Sequence, residues 1–175
     1  REASNMKNYL SRTVSLVFGL FLFALGLYLN IQANIGLAPW EAFSMGVANL
    51  IRLSYGNVVV LTGMVILLID VALKEKVGFG TIFNVLLIGK FADLIASWSV
   101  IPKMTAFLPG LAMLLVGQIS VCVGSYFYIG AALGCGPRDA LMVALGKRMK
   151  KTPIGAIRGL IEGTVLVIGW LLGAK

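Results

Sequence analysis

Long uncharged apolar stretches alternate with short polar breaks along the chain. Residues 13–31, 58–69, 104–136 and 163–174 contain no charged side chain. A helix needs about 20 apolar residues to cross a hydrocarbon core about 30 Å thick. Several such stretches cannot all be buried inside one small core. The pattern therefore predicts an all-α, polytopic membrane protein.

The breaks between these stretches define seven predicted helices. They cover residues 11–33, 39–53, 57–73, 81–98, 107–133, 137–149 and 153–172. The second and the sixth are short for a helix that rises about 1.5 Å per residue, and we interpret both as half-helices or re-entrant segments. Residues 1–9 are predicted to form an N-terminal tail, in which the residues before Met6 are either native or a cloning remnant.

A seven-residue element occurs twice, as G-L-A-P-W-E-A from Gly36 and as G-C-G-P-R-D-A from Gly134. The two copies lie 98 positions apart, and neighbouring glycines and tyrosines recur at the same offset. An internal repeat of this kind indicates a duplicated structural unit. We divide the chain into a first repeat at 10–98, a connecting loop at 99–106 and a second repeat at 107–175.

The second repeat is predicted to lack its last helix. After one inserted residue, Lys76 matches Lys175. Lys76 is followed by V-G-F-G-T and a whole apolar helix, whereas Lys175 is the last residue given. We therefore expect a longer parent sequence to continue with a similar x-G-x-G-T segment and one more apolar helix.

The two repeats are predicted to be inverted relative to one another. With half-helices at 39–53 and 137–149, each complete repeat has three full spans, and an odd number reverses the orientation of the second repeat. With the N-terminus inside, most bases fall inside, including the cluster at 147–151, as the positive-inside rule requires. If the short segments crossed the bilayer, the charge distribution would also be acceptable, so segment length rather than charge favours inversion.

Composition agrees with a membrane protein. Hydrophobic residues make up 59% of the chain and charged residues 13%, whereas soluble domains have about half and about a quarter. The net charge of +8 comes mainly from bases at predicted helix ends. We interpret them as anchors to anionic lipid, and we expect no nucleic-acid partner.

Catalytic and metal-binding signals are missing from the sequence. There is no histidine, and Cys122 and Cys135 do not have a metal-ligand spacing. No phosphate-binding loop, dinucleotide fingerprint, zinc motif or nucleophile elbow is present. We expect no enzyme activity, no cofactor and no metal site.

The repeated element G-x-x-P-x-(D/E) is the best candidate for a functional site. Proline suits the first position of a helix, and an acid in the first turn faces the positive end of the helix dipole. One interpretation is two well-formed helix starts and nothing more. The other is two half-helix starts that line a shared cavity, as in transporters with broken helices. The predicted lining residues are Gly36, Pro39, Trp40, Glu41, Gly134, Gly136, Pro137, Arg138 and Asp139.

Other charged residues lie within the predicted helices. Lys90 with Asp93, and Arg158 with Glu162, each fall on one helix face and are predicted to form intramembrane ion pairs. These pairs either lower the cost of charge in lipid or take part in proton or cation coupling. Asp70 lies near a helix end and is predicted to be solvated. Arg138 forms a local pair with Asp139, binds an anion at its helix start or anchors to lipid headgroups.

Together with V-G-F-G-T-I-F-N-V-L-L-I-G-K-F-A-D-L, the two repeated elements resemble the YczE/YitT family of bacterial integral membrane proteins, and the YczE type most. The resemblance extends from Leu10 onwards. It departs from the family pattern at Ala38, where glycine is common, and in ending before the last family helix. It implies a multi-pass protein of the bacterial inner membrane and brings no established substrate.

Two functional hypotheses follow. The first is a transporter of a small solute or ion, with its site between the two proline-containing helix starts. The second is a non-transporting membrane scaffold, or a regulatory or substrate-capturing subunit of a larger complex. The expected partners are the lipid bilayer, an unknown small solute or ion, and either a second copy or another membrane subunit.

Overall fold

The computed structural model describes residues 2–149 and 152–174, with side chains from Tyr9 onwards. Within these ranges the fold is entirely helical, which confirms the predicted all-α membrane class. Arg1, Lys150, Lys151 and Lys175 lie outside the described residues, as do the predictions that rest on them. The described helices are α1 (Glu2–Ala33), α2 (Pro39–Ile51), α3 (Tyr55–Ala72), α4 (Phe79–Trp98), α5 (Phe107–Gly130), α6 (Pro137–Arg148) and α7 (Ile154–Leu171).

Five of these helices are long and apolar enough to cross a membrane: α1 from Tyr9, α3, α4, α5 and α7. The 13 residues of α2 and the 12 residues of α6 give lengths of only about 20 Å at 1.5 Å per residue. Large apolar side chains on the long helices face outwards, among them Leu68 at 69% and Leu108 at 75% exposure. Surfaces of this kind are rare in water and normal in lipid.

Helix α1 begins at Glu2, so the start predicted at Ser11 is wrong. The apolar run marks only the part of a helix that lies in hydrocarbon, and the candidate span does begin at Tyr9. The polar residues before it continue the same helix, because nothing in Glu2-Ala3-Ser4-Asn5 breaks one. The segment predicted as a tail therefore extends the first helix.

Helix bounds recur at the offsets of the repeat. Helix α6 begins 98 positions after α2, and both ends of α7 lie 99 positions after those of α3. The backbone of the break before each half-helix recurs as well. Asn34 and Ala132 have φ of 55° and 53°, and Gly36 and Gly134 have φ of 152° and 129°. The last two values favour glycine, which explains why glycine occurs at both positions.

Helices α1 and α5 cross in antiparallel directions at glycines. A Cβ atom on Gly19 would lie 2.7 Å from the carbonyl oxygen of Gly124, and one on Gly26 would lie 2.5 Å from that of Gly117. Gly19 matches Gly117 and Gly26 matches Gly124 in the repeat. The contact is therefore self-complementary, as at a two-fold axis. The Ser120 hydroxyl also donates to the Leu22 carbonyl at 2.8 Å across this crossing.

The remaining helices pack around this pair. Helix α4 lies against α1 and α3, α2 lies against α7, and α6 lies against α3. Close approach again depends on glycines: Gly56 meets Gly89 between α3 and α4, and Gly46 meets Gly169 between α2 and α7. With small residues at these positions, the backbones of the two helices can come into direct contact. The buried core consists of Leu16, Leu20, Ala24, Leu27, Val59, Ile88, Ile95, Tyr128 and Ala131.

Candidate functional site

The two repeated elements meet at Trp40 and Arg138. Each is the second residue of its half-helix, and they occupy matching positions in the two repeats. The Arg138 Cζ atom lies 4.5 Å from the centroid of the Trp40 ring, within the range of a cation–π interaction. If a two-fold axis relates the two repeats, residues at matching positions contact each other where they lie on that axis. The starts of α2 and α6 are therefore close together.

A cavity of about 320 Å³ lies beside this contact. Both members of five matching pairs line it, so that each repeat contributes one side. These pairs are Phe23 with Val121, Leu27 with Ser125, Trp40 with Arg138, Val59 with Arg158, and Gly63 with Glu162. Small-molecule sites in proteins start at about this volume.

The two sides of the cavity differ in chemistry. The first repeat contributes mostly apolar groups, such as Phe23, Leu27 and Val59. The second contributes the charged side chains of Arg138, Asp139, Arg158 and Glu162. The charged wall therefore carries two positive and two negative groups, and the opposite wall carries none.

Arg158 and Glu162 form an ion pair on one turn of α7. The Arg158 Nε–H donates to Glu162 Oε1 at 2.8 Å. Their matching positions in the first repeat are Val59 and Gly63, which have no charge. The pair is thus a feature of the second repeat alone, and it lines the cavity.

Five of the nine predicted lining residues do line the cavity: Trp40, Gly136, Pro137, Arg138 and Asp139.

Gly36, Pro39, Glu41 and Gly134 are not among the lining residues, which corrects that part of the prediction. Glu41 is only 5% exposed, because one residue along a helix turns the side chain by about 100°. Gly134 is covered by Thr81, whose hydroxyl oxygen would lie 2.8 Å from an added Cβ atom. Gly36 lies instead in a second groove, beside α2 and α7.

The predicted Lys90–Asp93 ion pair is wrong. Asp93 accepts the Ser54 hydroxyl at 2.6 Å and the Gly56 amide at 2.8 Å. It therefore caps the start of α3, where free N–H groups and the helix dipole stabilise a carboxylate. Lys90 donates instead to Asn57 Oδ1 at 2.9 Å. Both side chains reach across to α3 rather than to each other.

Asp70 is fully buried, so the prediction that it is solvated is wrong. Its two carboxylate oxygens have no hydrogen-bond partner among the described residues. Asp70 lies in the last turn of α3, which α6 covers. Its matching residue is Gly169, which packs against the backbone of α2. The position is therefore a helix crossing in both repeats.

An ion pair outside the long helices ties the α3–α4 loop to the end of α6. Lys147 Nζ donates to both carboxylate oxygens of Glu75, at 2.7 and 2.8 Å. The hydrogen bond from Lys147 holds the pKa of Glu75 below its ordinary value of 4.5. This bridge lies over the end of α3 that carries Asp70.

Some lining residues were missed because nothing marks them singly in the sequence. Asn84, Ser125 and Tyr128 bring polar groups to the cavity from apolar helices. Asn84 is the only one of the three with a signal, since an amide inside an apolar span needs a partner or a cavity. In the part of the chain that the structure describes, no three His, Cys, Asp or Glu side chains are grouped to hold a metal ion.

Comparison with known proteins identifies a family and several relatives. Residues 10–174 match the model of a "Family of unknown function (DUF6198)". An uncharacterized protein of Haemophilus influenzae is 29% identical over 163 residues, covering 93% of this chain and 73% of that protein. The uncharacterized membrane protein YczE of Bacillus subtilis is 26% identical over 157 residues, covering 89% and 72%. The uncharacterized protein YyaS of the same organism is 27% identical over 158 residues, covering 86% and 75%.

No solved structure matches the chain. The match to YczE confirms the resemblance that the two repeated elements indicated, and the family model covers almost the whole sequence. The protein therefore belongs to the DUF6198 family.

Proposed function

We propose that this protein is a transporter of the bacterial inner membrane that moves a small solute carrying both a positive and a negative group. The observation that carries the proposal is the Trp40–Arg138 contact beside a cavity shared by the two repeats. We propose no enzyme activity and no cofactor for it.

The architecture supports transport. Helices α1 and α5 are the first helices of the two repeats, and they run antiparallel, as in inverted repeats. Transporters of this design place their site between the repeats, at the starts of discontinuous helices. Irregular backbone at membrane depth is tolerated where it is buried in protein or lines a cavity. The two breaks that precede α2 and α6 fit that description.

The charges of the lining support the solute class. Arg138 and Arg158 balance Asp139 and Glu162, so the net charge of the wall is zero. Arg158 and Glu162 already pair with each other, so a solute of one sign would leave either Arg138 or Asp139 without an opposite charge in a low-dielectric site, which is costly. A zwitterion satisfies both signs. The apolar wall formed by Phe23 and Leu27 then accommodates a small apolar side chain.

Uptake into proteoliposomes tests the proposal. The probes are radiolabelled alanine and leucine as zwitterions, with acetate and methylammonium as solutes of a single charge. We expect uptake of at least one zwitterion and of neither single-charge solute. Asp139→Asn should slow that uptake about tenfold or more, because a charge-assisted hydrogen bond contributes about 1.5–3 kcal/mol. Arg52→Gln, which changes an exposed residue remote from the cavity lining, is the matched control and should transport normally.

Two results would contradict this function. Absence of uptake for all four probes by the folded protein would refute the solute class, and copurification of a second membrane subunit in that case would favour the scaffold or substrate-capturing alternative. Normal uptake by both Asp139→Asn and Arg138→Gln would show that the solute binds elsewhere.

A further inference from the structure

Asp70 is a buried acid that the proposed solute site does not use. Its side chain is fully buried, and neither carboxylate oxygen has a hydrogen-bond partner among the described residues. An ionised carboxylate without a partner is very costly in a low-dielectric interior. Asp70 also lies in the last turn of α3, where the negative end of the helix dipole adds to that cost. Both effects favour a neutral, protonated side chain.

The positive groups nearest to Asp70 are bound elsewhere. Lys147 donates to both carboxylate oxygens of Glu75, and the Arg148 guanidinium donates to the Leu73 carbonyl at 3.4 Å. Glu75 repels an ionised Asp70, since both carry the same sign. The other titratable groups around this end of α3 are the exposed Lys74 and Lys76 of the α3–α4 loop and the Cys135 thiol in the break before α6.

The remaining charges on the helices that contact α3 lie away from Asp70. They are Glu41 and Arg52 on α2, Lys90 and Asp93 on α4, and Arg138 and Asp139 at the start of α6. Lys90 and Asp93 form hydrogen bonds with residues 54–57, and Glu41 is near Tyr55. About 22 Å of α3 separates Tyr55 from Asp70, at about 1.5 Å per residue.

A proton fits this place better than a metal cation. Hard cations such as Ca²⁺ take about six or more oxygen ligands. The backbone carbonyls of Ile69, Asp70 and Val71 each already accept an amide N–H. A proton needs only the one carboxyl group. The fold does not require an acid here either, because the matching residue of the second repeat is Gly169.

Helix α6 connects Asp70 to the cavity. Its end lies over the end of α3, where Lys147 holds Glu75. Its start contributes Pro137, Arg138 and Asp139 to the cavity lining. A movement of α6 away from α3 therefore admits water to Asp70 and displaces part of the cavity wall at the same time.

We propose that Asp70 is a proton-binding site, protonated while α6 covers it and ionised when α6 moves away. The O–H bond forms with a proton taken from water and breaks by returning that proton to water. Because the same movement displaces the start of α6, proton release accompanies solute release, and a proton gradient drives solute accumulation. This coupling rests on the proposed transport function, whereas proton binding at Asp70 does not.

Infrared spectroscopy in lipid nanodiscs tests proton binding without any solute. At neutral pH we expect the C=O stretch of a neutral carboxyl group in the native protein and its loss in Asp70→Asn. Asp93→Asn is the matched control and should keep the band, because Asp93 accepts two hydrogen bonds and is ionised. Deuterium exchange of the Asp70 carboxyl group should be severalfold faster in Lys147→Gln, which frees the end of α6.

Three results would overturn the proposal. A carboxyl band that Asp70→Asn leaves unchanged means that Asp70 is ionised. A band that sodium ions remove makes the site one for a metal cation. Equal exchange rates in Lys147→Gln and the native protein mean that α6 does not control access to Asp70.

Uptake of labelled alanine and leucine into proteoliposomes tests the coupling. With the membrane potential clamped at zero, one proton per solute and a gradient of about one pH unit drive up to about tenfold accumulation. The native protein should accumulate the solute that it moves, and Asp70→Asn should only equilibrate it. Accumulation by Asp70→Asn, or native uptake that the gradient does not raise, would refute the coupling. Absence of native uptake would refute the proposed function, and the infrared result would then decide the proton site alone.

Discussion

The antiparallel crossing of α1 and α5 holds the two repeats together, and Gly26→Ala tests it. A Cβ atom at residue 26 would lie 2.5 Å from the Gly117 carbonyl oxygen and 2.6 Å from Val121 Cγ2. Carbon atoms in good contact are about 3.5–4.0 Å apart. The two helices must therefore separate by about 1 Å, which also stretches the bond from Ser120 to Leu22.

The expected cost follows from two opposing effects. Overpacking of a tight contact costs about 1–3 kcal/mol, and replacing a glycine by alanine inside a helix returns up to about 1 kcal/mol. We therefore expect Gly26→Ala to lower the free energy of unfolding by about 1–2 kcal/mol. Gly124→Ala, at the matching position, should have a similar effect, since its Cβ atom would lie 2.6 Å from the Gly19 carbonyl oxygen.

The measurement is reversible unfolding in mixed detergent and dodecyl sulfate micelles, followed by tryptophan fluorescence. Gly163→Ala is the control, because a Cβ atom there meets nothing within 4 Å. It should be neutral, or more stable by up to about 1 kcal/mol. If Gly26→Ala is no less stable than Gly163→Ala, the crossing is not close-packed and the two-fold relation built on it fails.

Two further predictions concern charged groups at the end of α3. The pKa of the Glu75 carboxylate is lower in the folded protein than its ordinary 4.5. The ion pair of Glu75 with Lys147 therefore orders the surrounding loop above pH 4.5, and this order is lost as the pH falls through the lower folded pKa. Hydrogen-exchange protection of residues 73–77, corrected for intrinsic rates, should therefore drop below about pH 4.5 in the native protein and should not change with pH in Lys147→Gln. Asp70 is fully buried and its carboxylate has no hydrogen-bond partner among the described residues, so Asp70→Asn, which removes the charge at almost the same size, should leave the free energy of unfolding unchanged or raise it by up to about 1–3 kcal/mol. A loss of more than about 1 kcal/mol would reveal a buried partner.

Apolar runs and punctuation were enough to predict the helices. Pro39, Pro137 and Phe107 are the first residues of their helices both in the prediction and in the structure. Proline at a helix start and glycine in a break are local signals that need no knowledge of packing. The contact between Trp40 and Arg138 was not predicted, although both residues were predicted to line one shared cavity.

The sequence did not predict which side chains face which neighbour. Lys90 and Asp93 share a helix face, but the start of α3 lies opposite that face and offers Asp93 better donors. Asp70 is near a helix end, but α6 covers that end. In each case the outcome depends on the rotation and position of a second helix, and spacing along one helix contains no information about that.

The differences between the two repeats say more about function than their shared residues do. Gly19 with Gly117 and Pro39 with Pro137 are kept because both halves need them, to cross closely and to begin a half-helix. Packing cannot require a charge at 158 or 162, since the first repeat builds the same wall with Val59 and Gly63. Buried or lipid-facing charges are costly, so residues that the fold does not need and that line a cavity require another reason to be there. The proposed recognition of a solute that bears both signs of charge would supply that reason.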